Sequence, residues 1–410
     1  MKKIVIIGGG FGGLACAKSL LKRNKDFEIT LIDKNPYHNI HGNLYEVATI
    51  PAELVDLREL KRSVNIPFAQ IFKNQKINLV VGGVTAIDPE RKKVLVGSSE
   101  YSYDYLVIAQ GARANYYDTP GADQHALPLQ TSYDALLIGS RVTQAIMELK
   151  TNLRKKSVDL VVVGGGVAGV EIAAEMRGMI NFLCWENSIS SEKVKLHIVE
   201  RAPDVLAMMP HAVIYAAKKR LRELDVQIHT NKAITKITAH QIKTEDHKVM
   251  SYDVLIWTAG VKPEQLKFAD RDMPLTLHGR CQVNGCFKAF ENSTVFVVGD
   301  QSCFMDQYGN PLPGTAHQAI DEGHYVAKAI INFEKGQTPK PYHCKPAPMV
   351  ITLGQRWAIF VNQRWMATGL IAYWIRELIW FRYFVSILGF GEGLHWLLRT
   401  ENIYRRNDVN

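Results

Sequence analysis

The chain has 410 residues, 47% of them hydrophobic, which is enough for two or three domains that each bury a core. A formal net charge of +9 favours an acidic partner, an anionic membrane surface or phosphorylated ligands, and with no helix-turn-helix, zinc-finger or RNA-binding signature no nucleic acid is expected. Six scattered cysteines without a CxxC argue against a disulfide framework or a structural metal site and for a reduced, cytoplasmic setting. The short apolar start runs straight into glycines and is not read as a signal peptide, and no stretch of eighteen uncharged apolar residues offers a transmembrane span.

Ile4 to Ile7 form the short, wholly apolar run expected of a buried parallel strand. Gly8, Gly10 and Gly13 follow in the G-x-G-x-x-G spacing, and Leu14 to Leu21 have helical character. A second apolar run, Ile29 to Ile32, ends in Asp33, about twenty residues past the glycines. Each part has a task in holding a dinucleotide. Gly8 permits the tight turn, Gly10 lets backbone approach the pyrophosphate, and Gly13 lets helix and strand pack closely. The helix N-terminus offers its positive end to the phosphates, and Asp33 is placed to accept hydrogen bonds from the adenosine ribose.

Asn35–Thr49 reads as a polar, aromatic loop, where a dithiol oxidoreductase of this architecture would carry its cysteine pair. None is there; Cys281 and Cys286 lie far downstream and are read as buried spectators. Residues 77–100 read as strands with turns at Gly82-Gly83 and Asp88-Pro89. Tyr103 to Ala112 (YDYLVIAQGA) is a hydrophobic strand ending at Gly111, and Pro120-Gly121 marks a hinge.

The same grammar then repeats. Val158–Val163 is a buried strand, and Gly164, Gly166 and Gly169 repeat the glycine spacing. A helix opens at Val170-Glu171, and the strand Lys195–Val199 ends in Glu200. SYDVLIWTAG, from Ser251 to Gly260, echoes YDYLVIAQGA. From Gly8 to Tyr103 is 95 residues, and from Gly164 to Tyr252 is 88. Two ordered features at nearly equal separation imply a duplicated dinucleotide-binding domain. Two dinucleotides in one chain fit a held flavin in one domain, a diffusible nicotinamide in the other, and hydride passed between them. Glu200 favours NADH because a carboxylate repels a 2′-phosphate, while Arg201 beside it leaves NADPH open. The strand Thr294–Val298 ends in Gly299-Asp300, placed to bond a flavin's ribityl chain or to serve as a turn aspartate. The helix Ala316–Ile331 points its N-terminus where it would stabilise a reduced flavin.

These segments resemble the two-dinucleotide-binding-domain flavoproteins, and most closely the type II, non-proton-pumping NADH:quinone oxidoreductases. The likeness rests on GGGFGG at 8–13, LYEVAT at 44–49, GGGVAGVEIAAE at 164–175, IWTAGVKP at 256–263, VFVVGD at 295–300 and TAHQA at 315–319. It implies an α/β fold of two Rossmann-like domains. Residues 1–118 and 264–345 would form a discontinuous FAD domain, with an NADH domain of residues 119–263 inserted. Gly8, Gly10, Phe11, Gly12, Gly13, Asp33, Lys34, Val84, Gly111 and Asp300 would contact FAD. Gly164, Gly166, Gly169, Glu171, Glu200 and Gly260 would line the NADH site. Two departures stand out. The strand before the hinge ends Ala109-Gln110-Gly111, where the family usually has Ala-Thr-Gly. His317 stands where the family has the quinone-site glutamine, and Gln318 follows. Either side chain could donate to a quinone carbonyl, and a histidine adds a titratable proton source. His317 could equally be a partly buried histidine bonded to backbone.

From Pro346 the composition changes. Trp357, Trp365, Trp374, Trp380 and Trp396 are five of the seven tryptophans, and every basic residue after Lys345 is arginine. Residues 346–410 are expected to be a helical, membrane-associating segment, lying in the interface with tryptophans at headgroup depth and Arg376 and Arg382 reaching anionic phosphates. Burial in a homodimer is the alternative, because Arg376, Glu377 and Arg382 do not share one clean face.

The expected reaction passes two electrons from NADH through FAD to a quinone, ubiquinone or menaquinone, at the cytoplasmic face of the membrane and without proton pumping. Glu171 is the best-placed carboxylate for handling a proton or orienting the nicotinamide ribose, or else a first-turn acid serving the helix dipole. Three rivals stay open. A sulfide:quinone reductase would need flavin-flanking cysteines, for which Cys184, Cys303 and Cys344 are candidates. The others are a soluble NADH-dependent flavoprotein reductase and an NADH-redox-sensing flavoprotein that recruits a partner.

Overall fold

The computed structural model describes residues 1–23, 26–268, 273–290 and 293–408. The chain divides into two compact units. Met1–Asn39, Ile66–Arg113 and Val261–Ala347 form the first, and Ile40–Asn65, Ala114–Gly260 and Pro348–Asn410 the second. Residues 348–410, expected as a region apart, belong to the second unit, and so does 40–65, which holds LYEVAT.

In the first unit five parallel strands lie in the order Val295–Val297, Tyr105–Ile108, Lys2–Ile7, Phe27–Asp33, Asn78–Val81. Ile4 pairs with Ile29 on one side and Tyr105 on the other, so the first apolar run is covered along both edges. That is why the strand is continuously apolar and not alternating. The antiparallel strands Val84–Asp88, Lys93–Val96 and Ser99–Ser102 contribute Ile87 and Val94 to the core shared with Val5, Ile7, Leu106 and Ile108. The helices Phe11–Arg23 and Ala316–Glu334 meet backbone to backbone. A Cβ on Gly323 would stand 2.2 Å from the carbonyl oxygen of Gly12, so only glycine permits the crossing.

The second unit repeats this plan. Its five parallel strands run Leu127–Pro128, Val254–Trp257, Val158–Val163, Val194–Val199, Val226–His229. Here too an antiparallel trio, Ile234–Thr238, Gln241–Thr244 and Val249–Ser251, feeds the core, with Ile237 and Ile242 packed with Val161, Val199 and Trp257. The duplication therefore extends beyond the glycine motif and the Tyr-Asp strand.

The C-terminal part of this unit adds the antiparallel strands Met349–Thr352, Ala358–Val361 and Met366–Gly369, followed by the helices Leu370–Leu388 and Phe390–Tyr404. The helix Leu370–Leu388 has an unusual distribution of faces. It buries Ala372, Tyr373, Arg376, Glu377, Phe384 and Ile387, while Ile371 (69% exposed), Trp374 (54%) and Leu378 (65%) form an outward stripe. The expectation that Arg376 reaches outward to phosphates is corrected: it lies 6% exposed inside the unit. A charge can occupy that place only with partners, and LYEVAT supplies them. Arg382 is exposed as expected. Among the described residues no helix is long and apolar enough to cross a membrane.

Candidate functional site

The two glycine turns are built alike. Gly8 and Gly164 have φ of +98° and +103°, which bulkier residues avoid. A Cβ on Gly13 would lie 1.9 Å from the Gly8 carbonyl oxygen, and one on Gly169 1.8 Å from that of Gly164. At Gly10 and Gly166 a Cβ would meet nothing within 4 Å, so the interior of each turn is locked while its helix-capping face is open. The helices begin at Phe11 and Val167, earlier than the apolar pattern indicated.

The acids at the strand ends do something the motif alone did not reveal. Asp33 accepts from the Gly9 amide at 2.7 Å and from the Asn35 amide at 2.8 Å. Glu200 accepts from the Gly165 amide at 2.5 Å and from the Ala202 amide at 2.6 Å. Each carboxylate thus clamps the middle of its own glycine turn, holding the loop in shape from the neighbouring strand. Two further residues brace the first turn. His38 is fully buried with Nδ1 2.9 Å from the Gly9 carbonyl oxygen, its ring edge-on to Phe11. Phe68 packs so closely on Gly9 that a Cβ there would lie 2.1 Å from the ring. Sequence reasoning had no signal for either.

In the first unit Asp300 lies in the tight turn Gly299–Gln301, with Oδ1 2.6 Å from where a Cβ on Gly314 would stand. Gln301 donates to the carbonyl oxygens of Gly111 at 2.7 Å and Glu264 at 2.8 Å, tying that turn to the end of the Tyr-Asp strand. The helix Ala316–Glu334 is capped by Thr315, whose hydroxyl accepts from the Gln318 amide. His317 and Gln318 diverge. His317 is exposed, whereas Gln318 is buried and its side-chain amide is committed, donating to Glu322 at 3.1 Å and to Tyr342 at 3.0 Å. Glu322 also accepts from the Gly299 amide at 2.6 Å and the Ser302 hydroxyl at 3.3 Å. Burial pushes the Glu322 carboxyl up to about 7, against the opposing pull of Gly299, Gln318, Ser302 and Arg280. No motif singled Glu322 out.

A second cluster lies within the second unit. The helix Leu44–Thr49, which is LYEVAT, buries all six residues. Arg376 reaches it from the C-terminal helix, placing Nη2 3.0 Å from Glu46, 2.7 Å from the Tyr45 hydroxyl and 3.2 Å from Asn43. Its Nη1 donates to Glu377 at 2.6 Å. Burial alone would lower the guanidinium, but Tyr45, Glu377, Glu46 and Tyr373 outweigh it and hold it well above its usual value. Tyr45 donates to Thr352 Oγ1 at 2.9 Å, and the Thr352 amide donates to Glu171 at 3.1 Å. Enclosure raises the Glu171 carboxyl to about 8; Thr352 and Arg376 oppose that shift and Glu46 adds to it. The enclosure therefore favours the protonated form of Glu171. It is the fifth residue of its helix, past the first turn, which removes the reading of a first-turn dipole acid.

The other expected residues are scattered more loosely. Val84 opens the first antiparallel trio, paired to Val96, and Lys34 is exposed just after Asp33. Gly111 and Gly260 close their Tyr-Asp strands at φ +73° and +154°, and the exposed Tyr117 hydroxyl lies over Gly260, 2.2 Å from where a Cβ would stand. All six cysteines are unpaired thiols. Cys184, Cys281 and Cys303 are buried, whereas Cys286 is only half-buried, as is Cys344, whose sulfur lies 3.3 Å from Gln318 Oε1.

Residues 2–323 match the family described as pyridine nucleotide-disulphide oxidoreductase. A type II NADH:quinone oxidoreductase of Staphylococcus aureus is 27% identical over 361 residues, 86% of this chain and 88% of that one. Its counterpart in Staphylococcus haemolyticus is 26% identical over 401 residues, covering 95% and 97%. Among solved structures, NDH2 from Plasmodium falciparum in complex with NADH superposes with a TM-score of 0.83 at 17% identity, covering 98% of each chain. The sulfide:quinone oxidoreductase of Aquifex aeolicus gives 0.76 at 19% identity, covering 100% and 96%. At such identities these two likenesses speak to the fold.

Proposed function

Because the chain belongs to the pyridine nucleotide-disulphide oxidoreductase family, we propose that it is a FAD-dependent oxidoreductase that passes two electrons from NADH to a membrane quinone without pumping protons. The observation that carries this reading is the duplicated, acid-clamped glycine turn, which equips one chain for two dinucleotides. The Staphylococcus relatives, which align along most of their length, supply the NADH and quinone.

The first unit fits a flavin dinucleotide. The open face at Gly10 suits a pyrophosphate at the start of the helix Phe11–Arg23, and Asp300, beside Gly314, suits hydroxyl groups of the ribityl chain. Phe11, Gly12, Gly13, Lys34, Val84 and Gly111 complete that assignment. When bound, the flavin accepts hydride and returns electrons singly or in pairs. In the second unit Gly164, Gly166, Gly169, Glu200 and Gly260 hold NADH; Glu200 clamps Gly165 and still presents negative charge against a 2′-phosphate. Glu171, whose protonated form the enclosure favours, serves as a proton donor, and the Tyr45–Thr352 bonds orient it. His317, exposed at the head of its helix, is the group that donates to a quinone carbonyl, while Gln318 positions its neighbours. The outward stripe Ile371–Trp374–Leu378 docks the protein on the cytoplasmic face of the membrane, next to anionic lipid.

Steady-state NADH oxidation by purified protein with a short-chain quinone tests the reading, with NADPH and sulfide as controls. Acceleration by quinone is expected. Failure of quinone to accelerate the reaction, with bleaching of the flavin by sulfide, would transfer the chain to the sulfide:quinone reading.

A further inference from the structure

Glu322 is a buried carboxyl group that the proposed reaction does not use. It is 1% exposed and accepts three hydrogen bonds, from the Gly299 amide, the Ser302 hydroxyl and Gln318 Nε2. Gly299 immediately precedes Asp300, and Gly323, immediately after Glu322, packs against the carbonyl oxygen of Gly12. Glu322 therefore sits where the glycine turn and the Asp300 turn converge, the two segments assigned to the flavin nucleotide.

We propose that Glu322 is a positioning residue of the flavin site whose carboxylate binds a proton when the flavin is reduced and releases it on reoxidation. The proposal rests on the reading of the first unit as the flavin unit. The charges around Glu322 leave it poised. Arg280 is the cation facing it, and that guanidinium also donates to the Leu312 carbonyl oxygen. Asp300 lies in the turn that Glu322 holds, and Asp321 precedes it on the helix. Tyr342, which donates to Asp321 at 2.6 Å, and Cys344 stand on the far side of Gln318. His324 points away, to Ser19. Negative charge added beside a carboxyl group already raised to about 7 strengthens its hold on a proton. Gln318 donates to both Glu322 and Tyr342, and Tyr342 donates to half-exposed Asp321, so the hydrogen-bonded network around the group extends toward solvent.

The step balances. NADH delivers hydride, which is two electrons and one proton, and Glu322 takes a second proton from solvent. When the quinone accepts two electrons it also takes two protons, and Glu322 returns to its carboxylate. The sum is NADH, a proton and quinone giving NAD⁺ and quinol.

The test is an equilibrium redox titration of the flavin-loaded protein, followed by flavin absorbance across the pH range above about 7. One extra proton per electron pair makes the reduction constant change tenfold more per pH unit, which is about 30 mV for a two-electron couple. The unmodified protein should show a slope steeper than Glu322→Gln by that amount, with flavin content equal in both. Equal slopes overturn the proposal. Should Glu322→Gln lose its flavin, the reduced-minus-oxidised infrared difference spectrum of the unmodified protein decides. A new protonated-carboxyl stretch on reduction supports Glu322, and its absence refutes it. Unmodified protein without flavin absorbance is a different failure, that of the flavin reading itself.

Discussion

The buried Arg376 can be removed by Arg376→Met, which keeps much of the side chain's length while deleting its charge. In the native cluster one guanidinium serves Glu46 at 3.0 Å and Glu377 at 2.6 Å, and all three residues are at most 7% exposed. Deleting one partner of a buried pair costs about 3–5 kcal/mol, because the remaining carboxylates stay desolvated and lose the guanidinium. That is a loss of roughly two to four decades in the folded-to-unfolded ratio. The loss carries a pH signature. Without Arg376 the folded-state carboxyls rise above their unfolded values, so the folded chain retains protons that the unfolded chain releases. Stability then falls as pH rises, by about 1.4 kcal/mol per unit for each retained proton. Urea unfolding followed by tryptophan emission suits the measurement, because Trp380 and Trp396 lie on the two C-terminal helices. The variant should unfold at lower urea than the parent, with a wider gap at pH 8 than at pH 5.5. Adding Glu46→Gln should recover part of the loss at the higher pH. A cost below about 1 kcal/mol, or one independent of pH, would refute the buried-charge account.

Glu171 must be protonated to donate, so the quinone-dependent rate should fall as pH rises through about 8, and Glu171→Gln should lose that inflection; an unaltered profile removes Glu171 from proton transfer. Gly13→Ala places a methyl group 1.9 Å from the Gly8 carbonyl oxygen and should abolish FAD retention, while Gly169→Ala, at 1.8 Å from Gly164, should abolish NADH binding and leave flavin in place. Calorimetric titration with NADH separates the two, and full NADH affinity in Gly169→Ala would contradict the assignment of the second turn. Replacing Ile371, Trp374 and Leu378 by serine removes mostly exposed apolar surface and should free the protein from anionic vesicles at a modest cost in stability, about 0.5 kcal/mol per site and more at half-buried Trp374, which packs edge-on to Tyr373. Persistent cosedimentation with the vesicles would move docking elsewhere, and loss of a dimer in its place would assign the stripe to self-association.

The paired glycine turns, and the strand, helix and acid that accompany each of them, could be read from the sequence. Those features depend on short-range constraints. A positive φ at Gly8, a helix packed on its own turn at Gly13 and a strand buried along both edges each impose a residue type within a few positions. The repeat at Gly164 then made the pattern specific. Less legible were the ends of elements, such as the helix at Val167, because the glycines preceding the apolar pattern hide its start.

What only the tertiary structure decided concerns partners distant along the chain. From sequence, Arg376 and Glu377 were charges interrupting an apolar segment, and an interfacial helix was their natural home. Folding instead turns them inward, where Arg376 meets Glu46 across 330 residues, and leaves the same helix with an apolar outer face. From sequence Asp33 and Glu200 were expected only to meet a nucleotide's ribose, whereas their clamps on Gly9 and Gly165 depend on the register of neighbouring strands. Folding also turns Gln318 inward and leaves His317 exposed, and Glu322 carried no motif at all. The sequence by itself determined where the backbone must be glycine and where it must be apolar, because those demands are local. The tertiary structure alone decided which charges are buried and with what partners, because the cost of burying a charge is set by residues that only folding brings together.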